Sequence, residues 1–408
     1  MAQHHEHQLE TELCAHLAAH GWLHDTDNSG YDAVRALHTA DVLAWLAETQ
    51  PNELAKVSDH ERLLDRIVKV LDAPLDAGGG TLNLLRKGFQ TGSASFTMAQ
   101  PRPETSANPE TTRRYAANRV RVMRQVHYSP HSPRKSVDLL FLVNGLPVAT
   151  VELKTDFTQT SSLAVEQYRT DRTPRDPATN KVEPLLQFAR RALVHFAVSN
   201  SDAQMTTHLR GAQTTFLPFN AGDDGGAGNA PNPHGSPTSY LWERVWHRDS
   251  WLRILLSFMH LHAETRTHPI TGETTRSESL LFPRYHQWEA VTQLVEAARE
   301  QGAGHRYLVQ HSAGSGKSNS IAWLAHQLST LHDAAGDKVF RSVLVVTDRN
   351  VLDTQLRETI KKIDPQAGAV VTVVGESSGL PKSQQLARAL TGTAPIINPL
   401  AEGQCHCP

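Results

Sequence analysis

The chain has 408 residues, 39% of them hydrophobic and 20% charged, with a formal net charge of -2. That length holds two or three domains, each able to bury a core. No apolar run is long enough to span a bilayer and three cysteines build no disulfide framework, which excludes a helical membrane protein and a disulfide-stapled scaffold. A near-neutral balance also excludes nucleic-acid binding through overall charge, so any such contact needs local basic surface.

The opening MAQHHEHQLE lacks the apolar core of a signal peptide, and a cytoplasmic location is expected. Gln8 to Ala19 and Leu54 to Leu71 have helical apolar spacing, with Gly21 ending the first helix. Residues 1 to about 72 therefore read as mostly helical. Gly78-Gly79-Gly80 breaks the pattern, and Thr81 to Lys87 starts another element. Met98 to Thr112, rich in Pro, Thr, Ser and Asn, reads as an irregular loop. Arg113 to Arg124, RRYAANRVRVMR, is the most basic stretch. It reads either as a contact for DNA phosphates or as a solvated strand face with alternating Arg. The histidine groups His4-His5-x-His7 and His260-x-His262 lack further ligands at metal spacing and read as solvated or packed.

Ser136 to Lys154, SVDLLFLVNGLPVATVELK, reads as two apolar strands joined at Asn144-Gly145, a strong hairpin signal. Asp138 lies on the first strand. Glu152 and Lys154, two apart on the second, share a face. Two carboxylates can hold a hard cation, and an ammonium can steady charge developing on a phosphate, as in a magnesium-dependent phosphodiesterase. The bland alternative is a surface ion pair. The apolar character of both strands favours the metal site, since buried charges are costly unless paired or metal-bound. One condition attaches. An unbroken ladder with a two-residue turn puts Asp138 opposite Val151 and turns Glu152 to the other face. The site closes only if the turn takes one extra residue, as a three-residue loop or a bulge, and Pro147, which cannot donate to a ladder, makes room for such irregularity.

Ser161 or Ser162 can cap a helix running through Gln167 and Tyr168, which either approach the metal or simply pack. Ala192 to Ser199 fits a further buried strand of the same sheet. Ala221 to Ser239, AGDDGGAGNAPNPHGSPTS, reads as a flexible loop. Trp242, Trp246 and Trp251 lie on an expected helix reaching His262, at a spacing that marks core. Arg266 to Ser277, with Pro269 and Gly272, reads as a linker.

Tyr307 to Gln310 then reads as a strand, His311 to Ser318, HSAGSGKS, as a phosphate-binding loop, and Ile321 to Leu331 as a helix. Gly314 and Gly316 let backbone amides surround phosphates, and Ser315 lies between them. Lys317 reaches the outer phosphates and Ser318 can ligate magnesium. Gln287, in FPRYHQ, can read adenine with its amide. Val343 to Thr347 and Val370 to Val374 read as further strands of a parallel sheet.

The blocks VDLLFLVNGLPVATVELK, LFPRYHQ, VQHSAGSGKSNSIAWLAH and VVTDRNVLDTQL together resemble the R subunit of type I restriction enzymes, from about the hairpin to Pro395. The resemblance implies an α/β protein in which a PD-(D/E)xK nuclease domain, a mixed sheet with flanking helices, precedes a superfamily 2 helicase motor. It places an endonuclease domain at 1–262 with the loop at 221–239, a linker at 263–281, an incomplete RecA-like ATP-binding lobe at 282–397, and an aberrant tail at 398–408. It implies ATP-driven DNA cleavage in company with a methyltransferase and a specificity subunit. Asp138, Glu152 and Lys154 become cleavage residues, the first two with Ser318 holding Mg2+. Gln287, Gly314, Ser315, Gly316, Lys317 and Ser318 become the ATP site. The Gln-x-x-x-Tyr pair of related nucleases does not carry over cleanly, because Gln167 directly precedes Tyr168. The apolar pattern lapses at NPLAEGQCHCP, where Cys405, His406 and Cys407 are too few for a zinc site, so a truncated R subunit with little ATP turnover is expected. Two other classes stay open: a remnant that binds DNA or partner subunits without chemistry, and a different phosphate-loop ATPase, which gives Glu152 no role.

Overall fold

The computed structural model describes residues 2–155, 161–267 and 274–346, with Leu356, Thr359, Ile360, Gln384 and Ala387. The chain divides into two compact units, Met1–His286 and Gln287–Pro408.

The first unit is built on a seven-stranded mixed sheet whose spatial order follows the chain. Its strands are β1 (Leu23–Asp25), β2 (Val120–His127), β3 (Ser136–Val143), β4 (Leu146–Leu153), β5 (Val194–Val198), β6 (Ala203–Thr206) and β7 (Leu217–Pro218). Two neighbouring pairs, β1 with β2 and β4 with β5, run parallel, and the rest run antiparallel. β4 is buried along its whole length, as its run of apolar residues requires of a central strand. Helices α1 (Ala2–Ala19), α2 (Thr39–Thr49) and α3 (Ser161–Thr170) flank the sheet. Leu9, Leu13, Cys14 and Leu17 form the buried face of α1, at the spacing a helix demands. Gly21, at φ 88°, turns the chain out of it.

Two cores cover the sheet. On one side Phe141 and Phe196 meet Trp246 and Trp251 edge-on or tilted, with Trp22 against Phe141. The three tryptophans expected in the core are there: Trp242 on the helical segment Leu241–Val245, Trp246 just past its end and Trp251 on Arg248–Arg253, which runs on into Ile254–Phe258. On the other side α3 sets Ala164, Val165 and Tyr168 into a cluster with Leu140, Leu142 and Ala197.

Several expectations are corrected. The expected linker is a two-stranded ribbon, His260–Thr267 paired with Thr274–Leu281, and its β-branched threonines favour a strand. Pro269 and Gly272 lie outside the described residues. The helix ahead of it accordingly stops short of His262. The glycine-rich loop is irregular but anchored: Asn229 accepts from Ala221 N at 2.7 Å and donates to Ser201 O at 2.9 Å. The irregular stretch after Met98 gives way to a helix at Pro109, capped by Asn108.

The basic stretch is paired within the fold, although Arg113 stays exposed. Arg119 and Arg121 both grip Asp41, at 2.8 and 2.6 Å, and Arg124 grips Glu10 at 2.6 Å. Arg113 and Arg114 are engaged by Glu110 and Thr97. Asp41, on α2, is 1% exposed, so its charge must be matched in place.

In the second unit the described elements are α4 (Tyr285–Gln301), whose first two residues belong to the first unit, and α5 (Lys317–Ser329). Among the described residues of this unit there is no strand. The runs expected at Tyr307 to Gln310 and from Val343 carry no ladder, and Leu308 and Val346 are 91% and 80% exposed. An apolar run becomes a strand only when a neighbour supplies its hydrogen bonds. The neighbour expected at Val370 to Val374 lies outside the described residues, as do most of TDRNVLDTQL and the tail 398–408.

Candidate active site

The hairpin turn has two residues, Asn144 at φ 50° and Gly145 at φ 81°, the left-handed pair that matches the twist of its strands. It is buried. The Asn144 amide donates to Met98 O at 2.8 Å and accepts from Arg119 N at 2.7 Å. A side chain at Gly145 would collide with His38 and Val42.

From this turn the ladder runs Val143 opposite Leu146 and Leu142 opposite Pro147, and then slips. Phe141 faces Ala149, Leu140 faces Thr150 and Leu139 faces Val151. Val148 is the extra residue, a bulge beside the proline that has no N–H to give. Continued by one step, the shifted register puts Asp138 across from Glu152. Asp138, Leu140 and Leu142 alternate onto the face shared by Thr150, Glu152 and Lys154. The condition attached to the sequence pattern is thus met, by a bulge rather than a longer turn.

Asp138 Oδ2 accepts from Leu153 N at 2.7 Å, and Oδ1 accepts from the Gln125 amide at 3.2 Å. Gln125 also donates to Glu10, and its φ of 47° breaks the β2 ladder beside Asp138. Glu152 is 1% exposed, and burial with the nearby Asp138 charge pushes its carboxyl up to about 8. Arg172, just past α3, opposes that shift with an ion pair to Glu152 Oε1 at 2.8 Å. Lys154 is buried and donates to Leu153 O at 2.8 Å. Below these groups, Thr150 Oγ1 bonds both the Tyr168 hydroxyl and His195 Nδ1 at 2.8 Å. Tyr168 therefore packs under the site, while the Gln167 side-chain oxygen is buried with no partner among the described residues.

Sequence reading missed Arg172 and Gln125. Neither belongs to the acid-lysine spacing, and only the fold brings them to it. Among the described residues no group of three or more His, Cys, Asp or Glu side chains gathers. Two facing carboxylates, one of them raised by the other's charge, nevertheless fit a divalent cation, which relieves that repulsion.

The phosphate loop is a separate site in the second unit. Gly314 and Gly316 take φ of 76° and 80°, and Gly316 caps the N-terminus of α5. Lys317 is exposed and donates to the carbonyls of Ser312 and His311 at 2.8 and 3.2 Å. Gln287 is buried, and its amide nitrogen donates to Ser315 O and Gly316 O at 3.0 and 3.1 Å. The donor half of the amide thus holds the loop rather than standing open to a base. A Cβ at Gly316 would collide with that amide. Ser318 lies in the first turn of α5, where amides and dipole favour an anion.

Fold and sites together define a mixed α/β protein that joins a restriction-type N-terminal region to an ATPase segment. The chain belongs to the R proteins of type I restriction enzymes: the family model for the type I restriction enzyme R protein N terminus matches residues 3–214, just over half its length. The SWI2/SNF2 ATPase model matches residues 286–397. No curated protein matches the chain. No described helix is long and apolar enough to cross a membrane.

Proposed function

We propose that the first unit cuts DNA phosphodiester bonds with Mg2+ at Asp138, Glu152 and Lys154. The second unit binds ATP at Gly314 to Ser318 and contributes to ATP-driven translocation. Its working partners are DNA and the methyltransferase and specificity subunits of a type I complex. The observation that carries the reading is the register slip at Val148. Without it, Asp138 and Glu152 would lie on opposite faces of a buried sheet and share nothing.

Asp138 and Glu152 would hold the cation through carboxylate oxygens. When bound, magnesium supplies a Lewis acid for the phosphate and lowers the pKa of its water. Asp138 is fixed for this by the Leu153 N–H and the Gln125 amide. Glu152 serves only when ionised, which its raised pKa makes easier on the alkaline side. Lys154 brings a buried positive charge next to the carboxylates, where it steadies negative charge building on the scissile phosphate. In the second unit, Lys317 must leave the loop carbonyls to reach a phosphate, and phosphate oxygens are the better acceptors.

Nicking of supercoiled plasmid by the full chain tests the proposal. Mg2+-dependent nicking is expected, lost by at least two orders of magnitude in Asp138→Ala, roughly the scale of an electrostatic catalytic contact. Equal nicking by that variant would overturn it.

A further inference from the structure

We propose that Arg172 holds the place of the divalent cation in the nuclease site and is displaced when the cation binds. The inference rests on the proposed reading of Asp138 and Glu152 as cation ligands.

The argument is one of charge and of access. Among the described residues two acids and two cations meet at the site: Asp138 and Glu152 bring two negative charges when ionised, Lys154 and Arg172 two positive ones, while Tyr128 and Tyr168 pack beside Glu152 and Arg172 as neutral phenols. With Glu152 ionised these four charges balance without metal, and an imbalance among buried charges is costly. A divalent cation arriving on the same carboxylates leaves the set two charges positive, so one of the side-chain cations has to give way. Lys154 is 7% exposed, and its ammonium is tied to Leu153 O at 2.8 Å on its own strand. Its backbone N–H is bonded to Val198 O on β5. Arg172 is anchored differently. It follows α3, outside the sheet, and its side chain is 15% exposed against 1% for Glu152. Of the two it is the one with a path to solvent.

The guanidinium also sits on the atom the cation needs. Arg172 Nε meets Glu152 Oε1 at 2.8 Å, so the metal and the arginine compete for one oxygen. A guanidinium freed in this way has a natural next partner. Its planar fork suits a phosphate, and the phosphate of a DNA strand reaching the site takes up one of the two excess charges. The site is thereby closed by its own arginine until a cation displaces it.

The test is Mn2+ titration of the full chain at several pH values below the onset of Mn2+ hydrolysis, followed by the signal of free Mn2+ and fitted with proton competition, so that affinities for the ionised site are compared. Arg172→Gln is expected to bind Mn2+ on the order of tenfold more tightly, because a competing charge is gone. The same variant should melt at a lower temperature without metal, since Glu152 has lost its counter-charge. A purely structural arginine predicts the opposite pairing, with both affinity and stability falling. Arg172→Lys, which keeps the charge and folds more safely, should stay close to the parent affinity. Glu152→Gln serves as the arbiter. If it leaves Mn2+ binding intact, the cation site itself is wrong. If it removes binding while Arg172→Gln binds no more tightly than the parent, only the placeholder role of Arg172 falls.

Discussion

Glu152 is held by opposing demands: burial and Asp138 favour its neutral form, while Arg172 and Lys154 favour the ion. Its raised value of about 8 makes the metal-free fold sensitive to pH. From 4.5, its ordinary value, to about 8 the folded chain keeps a proton that the unfolded chain has lost. Stability from this group is therefore complete below the lower value and drains away as pH rises through the upper one. The buried histidines His195 and His208, held at about 3 and about 4, act in the other direction as pH rises through their ordinary value. A comparison with Glu152→Gln isolates the carboxyl. Urea unfolding without metal should show the parent losing roughly 3 to 5 kcal/mol relative to that variant between about pH 5 and about pH 8. Parallel curves would mean that Glu152 titrates near its ordinary value and is not buried against Asp138. Added Mg2+ should reduce the loss, because the cation stabilises the ionised form.

At the scale of single elements, both neighbours of β3 are irregular where they pass Asp138. β4 carries the Val148 bulge, and β2 carries Gln125 in left-handed backbone. That conformation costs a residue with a side chain roughly 1–2 kcal/mol, which glycine does not incur. Gln125→Gly should therefore unfold within about 1 kcal/mol of the parent, gaining backbone ease and losing two bonds of an exposed side chain. Gln125→Ala loses the bonds and keeps the strain, so it should be less stable than the glycine variant by roughly 1 kcal/mol or more. Nicking should fall in both, since both free Asp138 Oδ1. Equal stability of the two variants would show the backbone to be unstrained. These irregularities also mark how far the sequence could be read. Asn144-Gly145 announced the hairpin, and Pro147 flagged where the ladder could break, but nothing local decided that it does. The bulge follows from β4 being buried on both faces, where either register hides apolar side chains. The strand Leu23–Asp25 was hidden for a related reason: three residues that pair with β2 from almost a hundred positions away carry no pattern of their own. Arg119, Arg121 and Arg124 looked available because their partners Asp41 and Glu10 lie on distant helices. The glycine loop before α5 was legible because its chemistry is contiguous, while Arg172 became visible only once α3 had folded against the sheet.

For the whole molecule, the two proposed ligand sites stand on different kinds of scaffold. The first unit has its own sheet and two apolar cores, and every residue of the proposed cation site, Asp138, Glu152, Lys154 and Arg172, lies inside it. The phosphate loop, Lys317 and Gln287 all lie inside the second, with α5 starting directly from Gly316. A ligand that binds only the folded form stabilises the unit that holds it, by about 2.7 kcal/mol at a hundred times its dissociation constant. Calorimetry of the full chain should then resolve two transitions with separate ligand responses. Mg2+ should raise the transition of the first unit, and Glu152→Gln should cancel that rise while leaving the other transition alone. ATP should raise the transition of the second unit, and Lys317→Ala should cancel that rise alone. Lys317 is exposed and, among the described residues, bonds to the carbonyls of its own loop, so its loss costs the apo fold little and the missing shift can be assigned to binding. A single transition that answers to both ligands, or a Lys317→Ala effect on the Mg2+ shift, would show that the sites are energetically joined and that neither unit's chemistry can be read from its own residues.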